Sequence, residues 1–164
     1  MERSLLVLFA LLALSCAGAQ SSYFGLRVDV VGDLSNSGPI APLPGLHFGF
    51  PVLDNVELRT SLLSLILVNF LQVDILYTQN LSDTLRGYGG VGADFGGVAL
   101  GDDTTILGVH ATAGVEYELG SGVGLFGEVQ PLYVLEAPDY LLSSDPGSAL
   151  GIFGKLNLGI NFHF

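Results

Sequence analysis

Charged side chains recur inside apolar stretches of this sequence, at spacings of two residues. Arg27 and Asp29 form one such pair, and Glu57 and Arg59 form another. Because side chains two positions apart on a β-strand point to the same face, each charge would have an opposite charge beside it. The chemistry that this spacing favours is ion pairing away from water, where a charge is tolerated only when it is paired.

The elements that would carry these charges are eight stretches that alternate apolar with polar or small residues. They cover about 23–32, 45–51, 55–64, 69–78, 85–95, 105–118, 123–135 and 149–164. Long connections (33–44, 96–104, 136–148) and short ones (52–54, 79–84, 119–122) fall on opposite ends. Connection 65–68 breaks this rule, because it is apolar where an exposed loop is expected. The pattern predicts an all-β protein, an eight-stranded antiparallel up-and-down barrel.

The parity of the charges indicates which face of each strand points outward. In the first strand Phe24, Leu26 and Val28 share one parity, and Arg27 and Asp29 take the other. The same split recurs in the later strands, so no charged residue falls on an apolar face. A soluble sandwich shows the reverse, with an apolar core and a polar surface. A transmembrane barrel requires this arrangement, since only helices and closed barrels satisfy all backbone groups in hydrocarbon.

The first residues have the features of a secretory signal peptide. Arg3 precedes the apolar run 5–14, and Ala17-Gly18-Ala19 matches the A-x-A cleavage pattern. We therefore expect a cleaved signal peptide, 1–19, and one domain, 20–164. Cys16, the only cysteine, has an alternative role as a lipidated residue, although the usual order of residues before it is absent. Cleavage after Ala19 leaves no thiol for disulfides or catalysis.

The last strand alternates without a break through Phe162 to Phe164. This ending, the glycine-rich segment 87–92 and the segments 114–117 and 125–128 around a tight turn together resemble the small eight-stranded outer-membrane barrels typified by the OmpA transmembrane domain and OmpX. The chain departs from them in having no Trp and shorter outer loops. The resemblance implies a bacterial outer-membrane location with periplasmic termini. It also implies that Phe162 and Phe164 are a barrel-closing signal for the barrel-assembly machinery.

In such a barrel the inward charges are expected to pair between neighbouring strands. Strand order predicts three pairs: Arg59 with Asp74, Glu128 with Lys155, and Arg86 with Glu116. A central network would add Arg27, Asp29 and Glu57. These charges either fill and satisfy the interior, as buried charges must be paired, or form a gate whose re-pairing opens a narrow ion path.

The three histidines are expected to point inward at different heights. The predicted strands place His47 near the outer end, His110 in the upper half and His163 at the periplasmic rim. Because metal ligands must converge within a few ångström, no dedicated metal site is expected. The outward rows hold no histidine or carboxylate that could serve a lipid-modifying enzyme, so no catalytic residues and no cofactor are expected.

The long connections carry only acidic charges. The residues are Asp33, Asp102, Asp103, Glu136, Asp139 and Asp145. One interpretation is a hydrated, repulsive surface, and the other is weak Ca²⁺ or Mg²⁺ binding by carboxylate oxygens, without a dedicated loop motif. The net charge of −11 leaves no basic surface for nucleic acid.

These features predict a non-enzymatic, monomeric outer-membrane barrel that contacts outer-membrane lipid and has a structural or surface-interaction role. One alternative is a narrow cation-preferring pore. The other is a secreted soluble barrel that binds an apolar ligand, which would require the apolar rows to face inward.

Overall fold

The computed structural model describes residues 22–33, 41–65, 68–98, 105–136 and 152–164. They form eight strands: β1 (Tyr23–Asp33), β2 (Ala41–Leu53), β3 (Val56–Leu65), β4 (Val68–Asn80), β5 (Leu85–Val98), β6 (Thr105–Gly120), β7 (Val123–Glu136) and β8 (Ile152–His163). Each strand pairs with its sequence neighbour, and β8 pairs antiparallel with β1 to close the barrel. The predicted closed antiparallel barrel of eight strands is confirmed. No helix in the described ranges is long and apolar enough to cross a membrane.

The two ends of the barrel differ in their connections. The turn end carries the short turns 54–55, 81–84 and 121–122, and the loop end is the opposite one. The β6–β7 hairpin needs left-handed backbone at Gly120 (φ 94°), Ser121 (φ 58°) and Gly122 (φ 75°), which explains the two glycines there. The predicted signal peptide 1–19 and Cys16 lie outside the described residues.

Several strand boundaries differ from the sequence prediction. β2 begins at Ala41 rather than 45, β8 begins at Ile152 rather than 149, and β3 and β4 both extend, so that only 66–67 separate them. Pro42 and Pro44 weaken the strand signal because they lack an N–H. Both pair with β1, and pairing with β3 starts only at Gly45. The missing N–H groups of the two prolines therefore leave no carbonyl group of β3 without a hydrogen-bond donor.

The strands are strongly staggered around the barrel. A path can be drawn around the barrel from Glu116 on β6 by moving from each residue to its register partner on the next strand. It passes through Phe126, Gly159, Arg27, Gly45, Leu63, Phe70, Gly96 and Ile106. The path returns to β6 at Ile106, ten residues from its start at Glu116. Since stagger and tilt are linked in a closed barrel, register partners on successive strands lie at different heights.

The wall of the barrel is apolar outside and polar inside. Outward positions include Leu26, Ile75, Val91 and Leu158, all exposed. The buried set is instead dominated by polar and charged side chains. This distribution is the inverse of a soluble barrel. The described outward rows hold no Lys, Arg, Asp or Glu except Glu136, which lies opposite Leu107 at the loop rim.

Candidate functional site: the charged barrel interior

Glu128 on β7 lies at the centre of the interior network. Its carboxylate accepts hydrogen bonds from Arg59 at 2.7 and 3.2 Å, from Tyr88 at 3.0 Å and from Asn157 at 2.8 Å. Arg27 Nη2 is 3.1 Å from the same carboxylate. One buried carboxylate thus serves two guanidinium groups, which bind carboxylates through several charge-assisted hydrogen bonds.

Each of these arginines also contacts a second carboxylate. Arg27 donates to both oxygens of Asp29, at 2.6 and 2.9 Å. Arg59 Nε lies 3.3 Å from Asp74. The side chains Asp29, Arg27, Glu128, Arg59 and Asp74 therefore form one continuous chain of opposite charges across the interior.

His110 joins this chain to a second group nearer the loop end. Its Nε2 is 2.6 Å from Asp74, and its Nδ1 contacts Asp94. Asp94 also accepts from Lys155 Nζ at 2.6 Å and from Gln72 Nε2 at 2.5 Å. The imidazole therefore lies between two carboxylates, each of which has a Lys or Arg partner of its own.

The predicted pair between Glu128 and Lys155 is wrong. Lys155 lies opposite Gln130 on β7, and Glu128 lies opposite Asn157. Stagger places Lys155 nearer the loop end than Glu128, so its long side chain crosses the interior to Asp94 on β5. The sequence prediction ignored the stagger between neighbouring strands and therefore paired two residues that lie at different heights in the barrel.

A separate cluster lies at the turn end. Arg86 contacts Glu116 at 2.5 Å and Glu57 at 3.2 Å, and Glu116 is 2.6 Å from His163. Tyr23 donates its hydroxyl hydrogen bond to Glu57. Glu57 was predicted to join the central network, but it lies at the start of β3 beside Arg86 and belongs to this cluster.

The turn-end cluster forms the inner wall of a cavity of about 860 Å³. The cavity is lined by the turns 54–55 and 81–84 and by Glu57, Arg86, Glu116 and His163. Sequence reasoning missed it, because its lining comes from three hairpins and from the end of β8, which only the closed barrel brings together.

An apolar layer lies on the loop-end side of the polar interior. Its buried side chains include Leu43, Leu63, Ile106 and Val134. Phe70 also fills the space above Gly96, where an added Cβ would be 2.4 Å from its ring. Sequence reasoning missed this layer because these residues are apolar, like the outward rows. The signal was their parity, which is that of the inward charges.

The sequence predicted that His47 lies near the outer end, and this prediction is wrong. It lies opposite Gly25 and Ser61, in the interior. Its Nε2 is 2.7 Å from Asn161 Oδ1, and its ring contacts Phe126 with centroids 5.1 Å apart. The error arose because β2 begins four residues earlier than predicted, which moves His47 towards mid-height. Within the described ranges, no three His, Cys, Asp or Glu side chains are grouped to hold a metal ion.

The remaining predicted residues lie at the barrel ends. Phe162 is exposed on the outer face and packs against Phe24, with ring centroids 6.4 Å apart, and Phe164 is exposed beyond β8. Glu136 is exposed at the end of β7, and Asp33 ends β1. The other acidic loop residues lie outside the described ranges: Asp102, Asp103, Asp139 and Asp145.

Comparison with known proteins identifies similar solved structures. No protein-family model and no curated protein sequence matches this chain. The N-terminal β-barrel domain of Pseudomonas aeruginosa OprF is 18% identical with a TM-score of 0.57, covering 89% of this chain and 100% of that one. Neisserial surface protein A is 13% identical with a TM-score of 0.62, covering 88% and 96%. A transmembrane β-barrel designed de novo is 17% identical with a TM-score of 0.55, covering 90% and 98%.

These similarities extend over nearly the whole of each solved chain, at low sequence identity. What is shared is therefore the fold. The chain has the closed eight-stranded fold of the small outer-membrane barrels, as the resemblance in the sequence predicted.

Proposed function

We propose that this chain is a non-enzymatic integral outer-membrane barrel with a structural or surface-interaction role. The observation that carries the proposal is the distribution of charge in the closed wall. All Lys and Arg residues after Arg3 lie in the interior, and the described outward rows are uncharged except at the loop rim, where Glu136 lies opposite Leu107. A Lys or Arg on the lipid face costs about 2–4 kcal/mol at the bilayer midplane, whereas one in the interior can be paired.

The contents of the interior favour a structural role over a pore. The central charges are mutually paired, and the apolar layer lies between them and the loop end. The outward rows of the described strands contain no histidine, and their one carboxylate is Glu136 at the loop rim, which argues against chemistry on membrane lipid. The soluble alternative required inward apolar rows, and the structure has these rows outside.

The proposal includes an orientation and partners. The turn end would face the periplasm, with the acidic long connections outside, because short turns are periplasmic and long loops extracellular in outer-membrane barrels. Outer-membrane lipid would contact the apolar wall, and the exposed Phe162 and Phe164 would present the last strand to the assembly machinery. The acidic loop residues would give a hydrated surface with weak affinity for divalent cations.

Migration of the membrane-extracted protein in SDS gels tests the barrel proposal. We expect the unheated protein to run at a different apparent mass from the boiled protein, because a closed hydrogen-bonded wall has no free edge where SDS can start unfolding. The protein should also fractionate with membranes. Recovery in the soluble fraction, with identical migration before and after boiling, would contradict the proposal.

A second candidate function is a narrow cation-preferring pore. The described interior holds more carboxylates than Lys and Arg residues. The carboxylates are Asp29, Glu57, Asp74, Asp94, Glu116 and Glu128, and the cations are Arg27, Arg59, Arg86 and Lys155. An acidic lining favours cations in a pore.

Conductance in planar bilayers separates the two candidates. We expect the wild-type barrel to show no steady current, because the paired charges and the apolar layer both obstruct the interior. Cation-selective steps that occur in wild type, and that disappear when the protein is boiled before insertion, would favour the pore.

A further inference from the structure

His110 differs from the other two histidines in its partners. Both of its ring nitrogens contact carboxylates, Nε2 that of Asp74 and Nδ1 that of Asp94. His163 has one such contact, to Glu116, and His47 has one contact, to an amide oxygen. A neutral imidazole carries one N–H and one acceptor nitrogen, so it satisfies a single carboxylate contact but not two.

The bridge Asp74–His110–Asp94 therefore needs one proton more than a neutral imidazole supplies. Asp74 lies against Arg59, and Asp94 accepts from Lys155 and Gln72. These partners favour ionised carboxylates, which places the additional proton on the imidazole. We propose that His110 is a buried proton-binding site that links the two halves of the interior network.

The surroundings of the bridge are consistent with one cation at this position. The charged groups are Asp74 on β4, Asp94 on β5, Arg59 on β3 and Lys155 on β8. The other neighbouring strands contribute neutral groups: Thr112 on β6 donates to Asp74, and Gln130 on β7 donates to Thr112. Gly92 leaves room for the ring, since a Cβ there would be 2.5 Å from Nε2.

Loss of this proton turns one attractive contact into a repulsive one. A deprotonated ring nitrogen would face a carboxylate oxygen, with two lone pairs directed at each other. The folded barrel therefore binds one more proton than the unfolded chain above the ordinary titration range of histidine. Stability should then fall as the pH rises.

Urea unfolding in lipid vesicles, measured from about pH 6.5 upward over about two units, tests the site. We expect the folded-to-unfolded ratio of wild type to fall by up to about tenfold per pH unit relative to His110→Gln, because one proton is linked to folding. His47→Gln is the control and should keep the wild-type slope, because the His47 ring contacts an amide oxygen and no carboxylate. An identical slope in wild type and His110→Gln would overturn the proposal, as would loss of the slope in His47→Gln alone.

Nuclear magnetic resonance of the wild-type protein keeps the proposal testable if His110→Gln does not fold. Nitrogen chemical shifts should show both ring nitrogens of His110 protonated at neutral pH, with His47 neutral. A neutral tautomer of His110 at neutral pH would overturn the proposal.

Discussion

Glu128→Gln should lower the free energy of unfolding by about 3–5 kcal/mol, the cost of breaking a buried ion pair on one side. The substitution keeps the shape of the side chain but removes the one carboxylate among the described residues that contacts both Arg27 and Arg59. Each guanidinium keeps one carboxylate, Asp29 or Asp74. In place of the shared carboxylate both guanidinium groups would face a neutral amide, which cannot supply the charge-assisted hydrogen bonds that Glu128 accepts. Urea unfolding in vesicles measures the effect.

Glu118→Gln is the matched control. Glu118 is exposed at the turn end of β6, and an exposed substitution of this kind usually changes stability by no more than about 0.5 kcal/mol. Equal unfolding midpoints for Glu128→Gln and Glu118→Gln would show that the central network adds no stability, and would remove the main argument for a structurally closed interior.

The wall of the barrel could be predicted from sequence because its two faces meet opposite environments. In β1 the alternation of Leu26, Arg27, Val28 and Asp29 admits only one orientation when the outside is apolar. The predicted strand limits differ from the observed ones at β2, where the prolines weaken the signal, and at the β3–β4 connection, where the sequence stays apolar.

The interior pairing could be predicted only in part. Arg59 and Asp74 are direct register partners, as are Arg86 and Glu116, and such neighbours can be found by aligning strands. Lys155 and Asp94 lie on strands three apart around the wall, and their contact depends on the stagger of the whole barrel. That stagger is a property of closure, which no single strand encodes.

The inward glycines also shape the interior, and the sequence prediction of the ion pairs did not take them into account. An added Cβ at Gly49 would be 2.2 Å from the Tyr23 ring, and one at Gly124 would be 2.1 Å from Glu116 Oε1. Because a barrel of this size is filled by its own side chains, each large inward residue needs a small one opposite it. The glycines therefore determine where Tyr23 and Glu116 can lie.

Gly90→Ala should be among the most damaging single substitutions in the wall. A Cβ at Gly90 would be 2.0 Å from the backbone oxygen of Ile75 and 2.9 Å from its carbonyl carbon. Backbone in the paired β4–β5 ladder cannot rotate aside as a side chain can, so we expect a loss of about 3 kcal/mol or more, at the upper end for overpacking. Loss of the cold SDS-resistant form and a lower urea midpoint measure it.

Gly89→Ala, one residue away, provides the control for this prediction. Gly89 has outward parity, and its added Cβ would only reach the backbone oxygen of Thr112 at 3.5 Å, an ordinary contact. The intrinsic cost of glycine in a strand is removed in both variants alike, so the difference between them isolates the steric overlap at Gly90. Equal stability of the two variants would mean that β4 and β5 do not approach as closely as their register requires.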